Sequence, residues 1–249
     1  MPAPSDHVAP GCFAQTRWSV VMAAGGPSGT VSAAALAELC ATYWYPLYVF
    51  VRRQGHPHHD AEDLTQAFFG RLLEKRVLGA ADRERGRFRS FLLASVKHFL
   101  ENDREFRNAL KRGGGRAIVP IEGSVDERFE RDPLARQEMS PDALFELRWA
   151  RTVLDQALVA LRESYAARDQ SRVFDALKPC LTEGKGAVGY AAVAAELGLD
   201  EGAVKMAAHR LRQRYRVALR EEIARTVASP DEVEDELRHL RAVLSGGCA

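Results

Sequence analysis

Residues 190–216 read YAAVAAELGLDEGAVKMAAHRLRQRYR. Tyr190, Val193, Ala194 and Leu197 recur at helical spacing and form one apolar face. Gly198 follows where helices commonly end in a left-handed residue, and small residues at Ala194 and Gly198 suit a close helix crossing. Leu199 is expected to plug the corner, and Asp200 to cap a second helix with Glu201 in its first turn. In that second helix Val204, Ala208, Leu211 and Tyr215 point inward. Lys205, His209, Arg212 and Arg216 recur with the same spacing on a neighbouring face. Two helices joined by a short glycine-containing turn, the second one basic, define a helix-turn-helix and a candidate DNA surface. The competing explanation is an ordinary helical hairpin whose basic face is merely solvated.

Working outward, the next run upstream, from Ser140-Pro141-Asp142, has the signature of a helix start: a Ser cap, Pro at the first helical position, then an acid. Its apolar positions continue through Leu144, Leu147, Val153, Leu154, Leu158 and Leu161, and a further helix carries Val173, Leu177 and Leu181. Downstream, Ser229-Pro230-Asp231-Glu232 predicts a capped start for a short acidic helix with Val233, Leu237, Leu240 and Leu244 on one side.

The N-terminal half is also helical in pattern. Residues 1–32 are rich in Pro, Gly, Ala and Ser and are expected to be irregular, with one short turn around Trp18. From Ser32, Leu36, Leu39, Cys40, Tyr43 and Leu47 mark a helix that Pro46 is expected to kink or break. Asp60 opens DAEDLTQAFFGRLLEKRVL, with acids in its first turn, Leu64, Phe68 and Leu72 inward, and Asp63, Gln66 and Gly70 on another face. Phe88 to Arg112 is a third helical stretch in which phenylalanines interleave with basic residues, ended by Gly113-Gly114-Gly115. No β-type alternation and no repeat interrupts this all-α pattern.

Composition narrows the classes. The 249 residues carry 35 basic and 34 acidic side chains, a net charge of +1, which argues against indiscriminate polyanion binding. The distribution is uneven. Basic residues dominate 97–116 and 201–225, and acids dominate the connector between them, through Glu122, Asp126, Glu127, Glu130 and Asp132. No apolar run is long enough to cross a membrane, and the N-terminus lacks signal-peptide features, so a cytoplasmic location is expected. Cys12, Cys40, Cys180 and Cys248 are scattered, with neither zinc nor disulfide spacing. His56, His58, His59 and Asp60 offer metal-ligand chemistry of a phosphohydrolase kind, but no second His/Asp pair follows, and Asp60 as a helix cap explains them as well. No phosphate-binding loop and no nucleophile motif is present, so an enzyme, a metal site or a cofactor is not expected.

YWYPLYVFVRRQG, then DAEDLTQAFFGRLLE, then FRSFLLASVKHFLENDREFRNALKRGGG, with the C-terminal helix-turn-helix, together resemble bacterial RNA polymerase sigma factors of the extracytoplasmic-function (ECF) class. The resemblance covers residues 33–116, as sigma region 2, and 141–228, as sigma region 4, joined by a flexible acidic linker at 117–140. An irregular extension (1–32) and the short acidic helix (229–249) flank them. It implies two helical domains and a chain that binds core RNA polymerase and directs recognition of the −10 and −35 elements, promoter melting and transcription initiation. Asp60, Glu62, Asp63 and Gln66 match the segment that docks on the β′ coiled coil, and Ala67 stands where the family often has Glu. Lys97, His98, Asn102, Arg104, Arg107, Lys111 and Arg112 match the −10 region, although FLLASVKHFLEND departs from the commoner W-L-x-x-I-A-x-N form. Lys205, Met206, His209, Arg210, Arg212 and Arg216 resemble the −35 readers. The β flap and promoter DNA are the further partners implied, and an anti-sigma factor is common in the class. The alternative is a stand-alone helix-turn-helix regulator binding an operator as a dimer through the helix from Ser229.

Overall fold

A row of buried aromatics starts the fold. In the computed structural model, which describes residues 33–74, 87–110, 125–134, 138–182, 189–227 and 229–246, helix α1 (Ala33–Arg53) buries Tyr43, Leu47, Tyr48, Phe50 and Val51 completely. The helix runs unbroken through Pro46, so the expected break does not occur. Thr42, four residues before Pro46, is buried, and its hydroxyl exchanges hydrogen bonds with the Gln156 amide at 2.9–3.2 Å. A neighbouring helix packs against α1.

Helix α2 (His58–Glu74) places Ala61, Leu64, Phe68 and Leu72 inward at the spacing its sequence predicts, and α3 (Phe88–Leu110) adds Phe88, Leu92 and Val96. A short helix α4 (Val125–Glu130) leads to the long α5 (Pro141–Ala166). Ser140 caps α5 by accepting from the Ala143 amide at 3.2 Å, with Pro141 at the first helical position. Two short helices, α6 (Ser171–Leu177) and α7 (Pro179–Thr182), precede α8 (Tyr190–Leu197) and α9 (Glu201–Ala224). A 3₁₀ turn at Pro230–Glu232, with the Ser229 hydroxyl accepting from the Asp231 amide, starts α10 (Val233–Leu244). Among the described residues there is no strand.

The apolar side chains form two clusters. One gathers α1, α2, α3, the first half of α5 (Leu144, Phe145, Trp149, Val153), the end of α9 (Ile223) with Val227 just beyond it, and α10 (Val233, Leu237, Leu240, Val243). The second joins the end of α5 (Leu161, Tyr165) to α6, α7 and the α8–α9 pair through Phe174, Leu177, Val193, Val204, Ala208 and Leu211. Helices α5 and α9 lie against each other and pass through both. At about 25 cal/mol per Å² of apolar surface removed from water, each large core residue contributes roughly 1.5–3 kcal/mol, so both clusters matter to stability.

Part of the acidic connector has a defined structure. Asp132 is buried, accepts from the Tyr45 hydroxyl at 2.9 Å and from the Leu134 amide at 3.1 Å, and pairs with Arg148. Leu134 enters the first core, and Phe129 meets Tyr48 edge-on and lies under the Arg52 guanidinium at 4.6 Å. A single carboxylate with three partners, flanked by two apolar anchors, fixes a segment whose composition otherwise suits a linker. Residues 117–124 and 135–137 of the expected linker, the turn around Trp18 and the expected Ser32 cap lie outside the described residues.

Candidate nucleic-acid interface

The helix-turn-helix forms from the residues that predict it. Gly198 ends α8 with φ of +67°, in the left-handed region, and its amide and that of Leu199 both bond to the Ala194 carbonyl. A methyl group added at Gly198 would meet nothing within 4 Å, so the glycine is needed for its backbone angle and not for a close helix crossing. Leu199, expected to plug the corner, instead stands exposed. Asp200 caps α9 by accepting from the Ala203 amide at 2.9 Å. Val193, Ala194, Val204, Ala208 and Leu211 are buried between the two helices, with Tyr190 and Leu197 at the margin.

The outward side of α9 carries most of the expected −35 set. Lys205, Met206, His209, Arg210 and Arg216 are all exposed, Met206 by 58%. Lys205 is bonded to Glu201 at 2.8 Å, and that bond raises the ammonium's pKa above its ordinary value, so it stays charged. Among the described residues Arg216 reaches Gln213.

Arg212 departs from the set. Its guanidinium turns inward, donating to the Cys180 carbonyl at 3.1 Å and to the Tyr190 hydroxyl at 3.4 Å. A side chain this long can leave the row its Cα occupies, and here it ties α9 to α7 and α8. Arg214, two residues on, lies over the Tyr165 ring at 5.1 Å. Tyr215 donates to the Leu154 carbonyl at 3.2 Å, and burial, with Asp155 nearby, pushes its pKa up to about 12.

On α3, Lys97, His98 and Arg104 are exposed and Asn102 is half-buried, its amide donating to the His98 carbonyl. Lys97 reaches across to Asp142 in the first turn of α5, at 2.7 Å. His98, Phe99 and Asn102 line an apolar cavity of about 240 Å³ with Phe68, Arg71 and Leu72 of α2, and Arg71 sits over the Phe99 ring. The side chain of Arg107 and all of Lys111 and Arg112 lie outside the described residues.

On α2, Asp60, Glu62 and Asp63 are half-exposed and Gln66 is exposed. His58 touches the Tyr48 hydroxyl at 2.9 Å and lies 3.7 Å from Glu62, as a brace at the helix start. Among the described residues no group of His, Cys, Asp or Glu is arranged to hold a metal ion, and no helix is long and apolar enough to cross a membrane.

One cluster escapes the sequence reading. Arg89, buried at the start of α3, bonds Glu146 of α5 at 2.6 Å and Glu236 of α10, and lies over the Trp149 ring at 4.5 Å. Arg87 adds a second contact to Glu236 at 2.8 Å, and His239 bonds Glu146 at 3.0 Å. Two arginines and no acid at a helix N-terminus oppose the helix dipole, which is the one hint in the sequence that carboxylates arrive from elsewhere. No family model, curated protein or solved structure matches this chain.

Proposed function

We propose that this chain is a dissociable promoter-recognition subunit of RNA polymerase, working as ECF sigma factors do. The observation that carries the reading is the helix-turn-helix, whose second helix begins at a capped N-terminus and presents Lys205, Met206, His209, Arg210 and Arg216 outward. Cationic side chains supply sequence-independent attraction to phosphate, and a few side chains at base edges supply selectivity in the major groove. The α3 surface serves the −10 element. His98, Phe99 and Asn102 beside the cavity offer a stacking face and an amide, the chemistry that captures unstacked bases, with Lys97 and Arg104 for the backbone.

Asp60, Glu62, Asp63 and Gln66 form the dock for the polymerase β′ coiled coil, an acidic surface separate from the basic ones. This separation accounts for the near-zero net charge, and it implies weak binding to free duplex. The chain catalyses no reaction itself. Two DNA-reading surfaces on one chain gain by effective concentration once the first is engaged.

The dimeric regulator reading loses its seam. Val233, Leu237, Leu240 and Val243 of α10 are buried in this chain's own core. The test of the sigma reading is complex formation with core RNA polymerase, followed by gel filtration. The wild-type chain should co-elute with core, and Asp63→Ala should weaken that complex while leaving the chain folded. Absence of any complex with core contradicts the reading.

A further inference from the structure

Met206 is an apolar side chain in polar company. It lies in the second turn of α9 and is 58% exposed, while Lys205, His209, Arg210 and Gln213 are exposed around it. The Lys205 ammonium is bonded to Glu201 at 2.8 Å. One turn before Met206 stands Gly202, exposed and without a side chain. A methyl group there would come within 2.9 Å of the Asp200 oxygen that caps the helix, so the glycine spares the cap and leaves this turn bare. Helical side chains lean toward the N-terminus, which directs Met206 out over the bare turn. A long, unbranched thioether therefore projects from the part of the second helix that meets base edges in helix-turn-helix proteins.

We infer that Met206 reads the 5-methyl group of a thymine in the −35 element. The inference rests on the promoter-recognition reading and assigns one base type to one side chain. Methionine donates no hydrogen bond and its sulfur accepts only weakly, so it cannot read the donors and acceptors of the groove. The thymine methyl is the one methyl group that base edges present in the major groove. Cytosine lacks it, and uracil lacks it while keeping every hydrogen-bonding group of thymine. Met206 thus adds a selectivity that its cationic neighbours do not supply.

The test uses a promoter that core polymerase and the wild-type chain select from fragmented genomic DNA. Each thymine of its −35 element, on either strand, is replaced in turn by deoxyuridine, and binding of the chain–core complex is measured. At one such position the wild type should bind about fourfold more weakly, the value of one methyl group removed from water. Met206→Ala, an exposed change that leaves the fold intact, should bind thymine and uracil templates equally. At the same position the wild type should bind 5-methylcytosine better than cytosine. Arg210→Ala should weaken binding to every template and keep the thymine-to-uracil ratio. The assignment is overturned if the wild type has no uracil-sensitive position, or if 5-methylcytosine binds no better than cytosine. A ratio that survives Met206→Ala, or one lost in Arg210→Ala as well, overturns it too.

If core polymerase yields no transcript that depends on the chain, the promoter reading fails. The same deoxyuridine comparison is then made on duplexes that the isolated full chain selects from a random pool. A uracil-sensitive position that Met206→Ala abolishes upholds the Met206 assignment. A selected motif without such a position, or no selected motif, overturns it.

Discussion

Arg212 of α9 donates a hydrogen bond to the carbonyl oxygen of Cys180, 3.1 Å away on α7. The residue occupies the row of α9 that includes Lys205, His209 and Arg216, yet its charge is directed into the protein. Arg212→Ala should therefore act through the hairpin. It leaves the Cys180 carbonyl without this donor, at a cost of about 1–3 kcal/mol, and lets α9 shift against α8. Urea denaturation should show the loss. The salt dependence of DNA binding, which counts phosphate contacts, should keep its slope, whereas Arg210→Ala should reduce that slope by about one. A reduced slope for Arg212→Ala would show that its side chain leaves Cys180 for phosphate.

Gly198 tests the turn. Its φ of +67° is costly for residues with a Cβ, and the space around it is open. Gly198→Ala should destabilise by about 1–2 kcal/mol through backbone conformation alone. Gly198→Asn should cost less, because Asn tolerates the left-handed region. Equal losses for the two, measured by urea denaturation, would point to a steric cause.

Asp132 tests the structured part of the connector. Removing its carboxylate by Asp132→Ala leaves the buried Arg148 without its partner and the Tyr45 hydroxyl without its acceptor. Breaking one side of such a buried pair costs about 3–5 kcal/mol. Limited proteolysis should then cut within 125–134 earlier than in the wild type. A stability unchanged within error would mean that the segment folds independently of this contact.

Tyr215 sets an alkaline limit. Its pKa is raised from the ordinary 10.0 to about 12 by burial and by Asp155. A raised pKa in the folded state favours the neutral phenol, so its stabilisation is complete below pH 10 and is lost as pH climbs toward 12. Stability should fall across that window, and Tyr215→Phe should flatten the fall. Phenolate absorbance should show one tyrosine fewer titrating near pH 12 in that variant.

The helices were legible because their signals are local. The apolar spacing on α2, the Ser140-Pro141 start of α5, and Gly198-Leu199-Asp200 each act within a few residues. Exposure of Lys205, His209 and Arg216 followed from the same spacing. The illegible parts are pairings across the chain. Nothing near Asp132 announces Arg148 or Tyr45, and Glu236 meets Arg89 across 147 residues of sequence. The acidic tail reads as a helix with one apolar side, but nothing in it says what its carboxylates meet, and an arginine in a basic row reads as outward until a carbonyl claims it. Pro46 misleads for a related reason, since tertiary packing along α1 outweighs a missing backbone bond.

The central claim is that this chain directs core RNA polymerase to promoters. The direct measurement is transcription by purified core polymerase on fragmented genomic DNA of the source organism, with and without the chain, with the 5′ ends sequenced. The account predicts a discrete set of start sites that appear only with the chain and share upstream −10 and −35 elements. That set should disappear with Arg210→Ala combined with His209→Ala. Identical transcripts with and without the chain, from core polymerase that responds to another sigma factor, would contradict it.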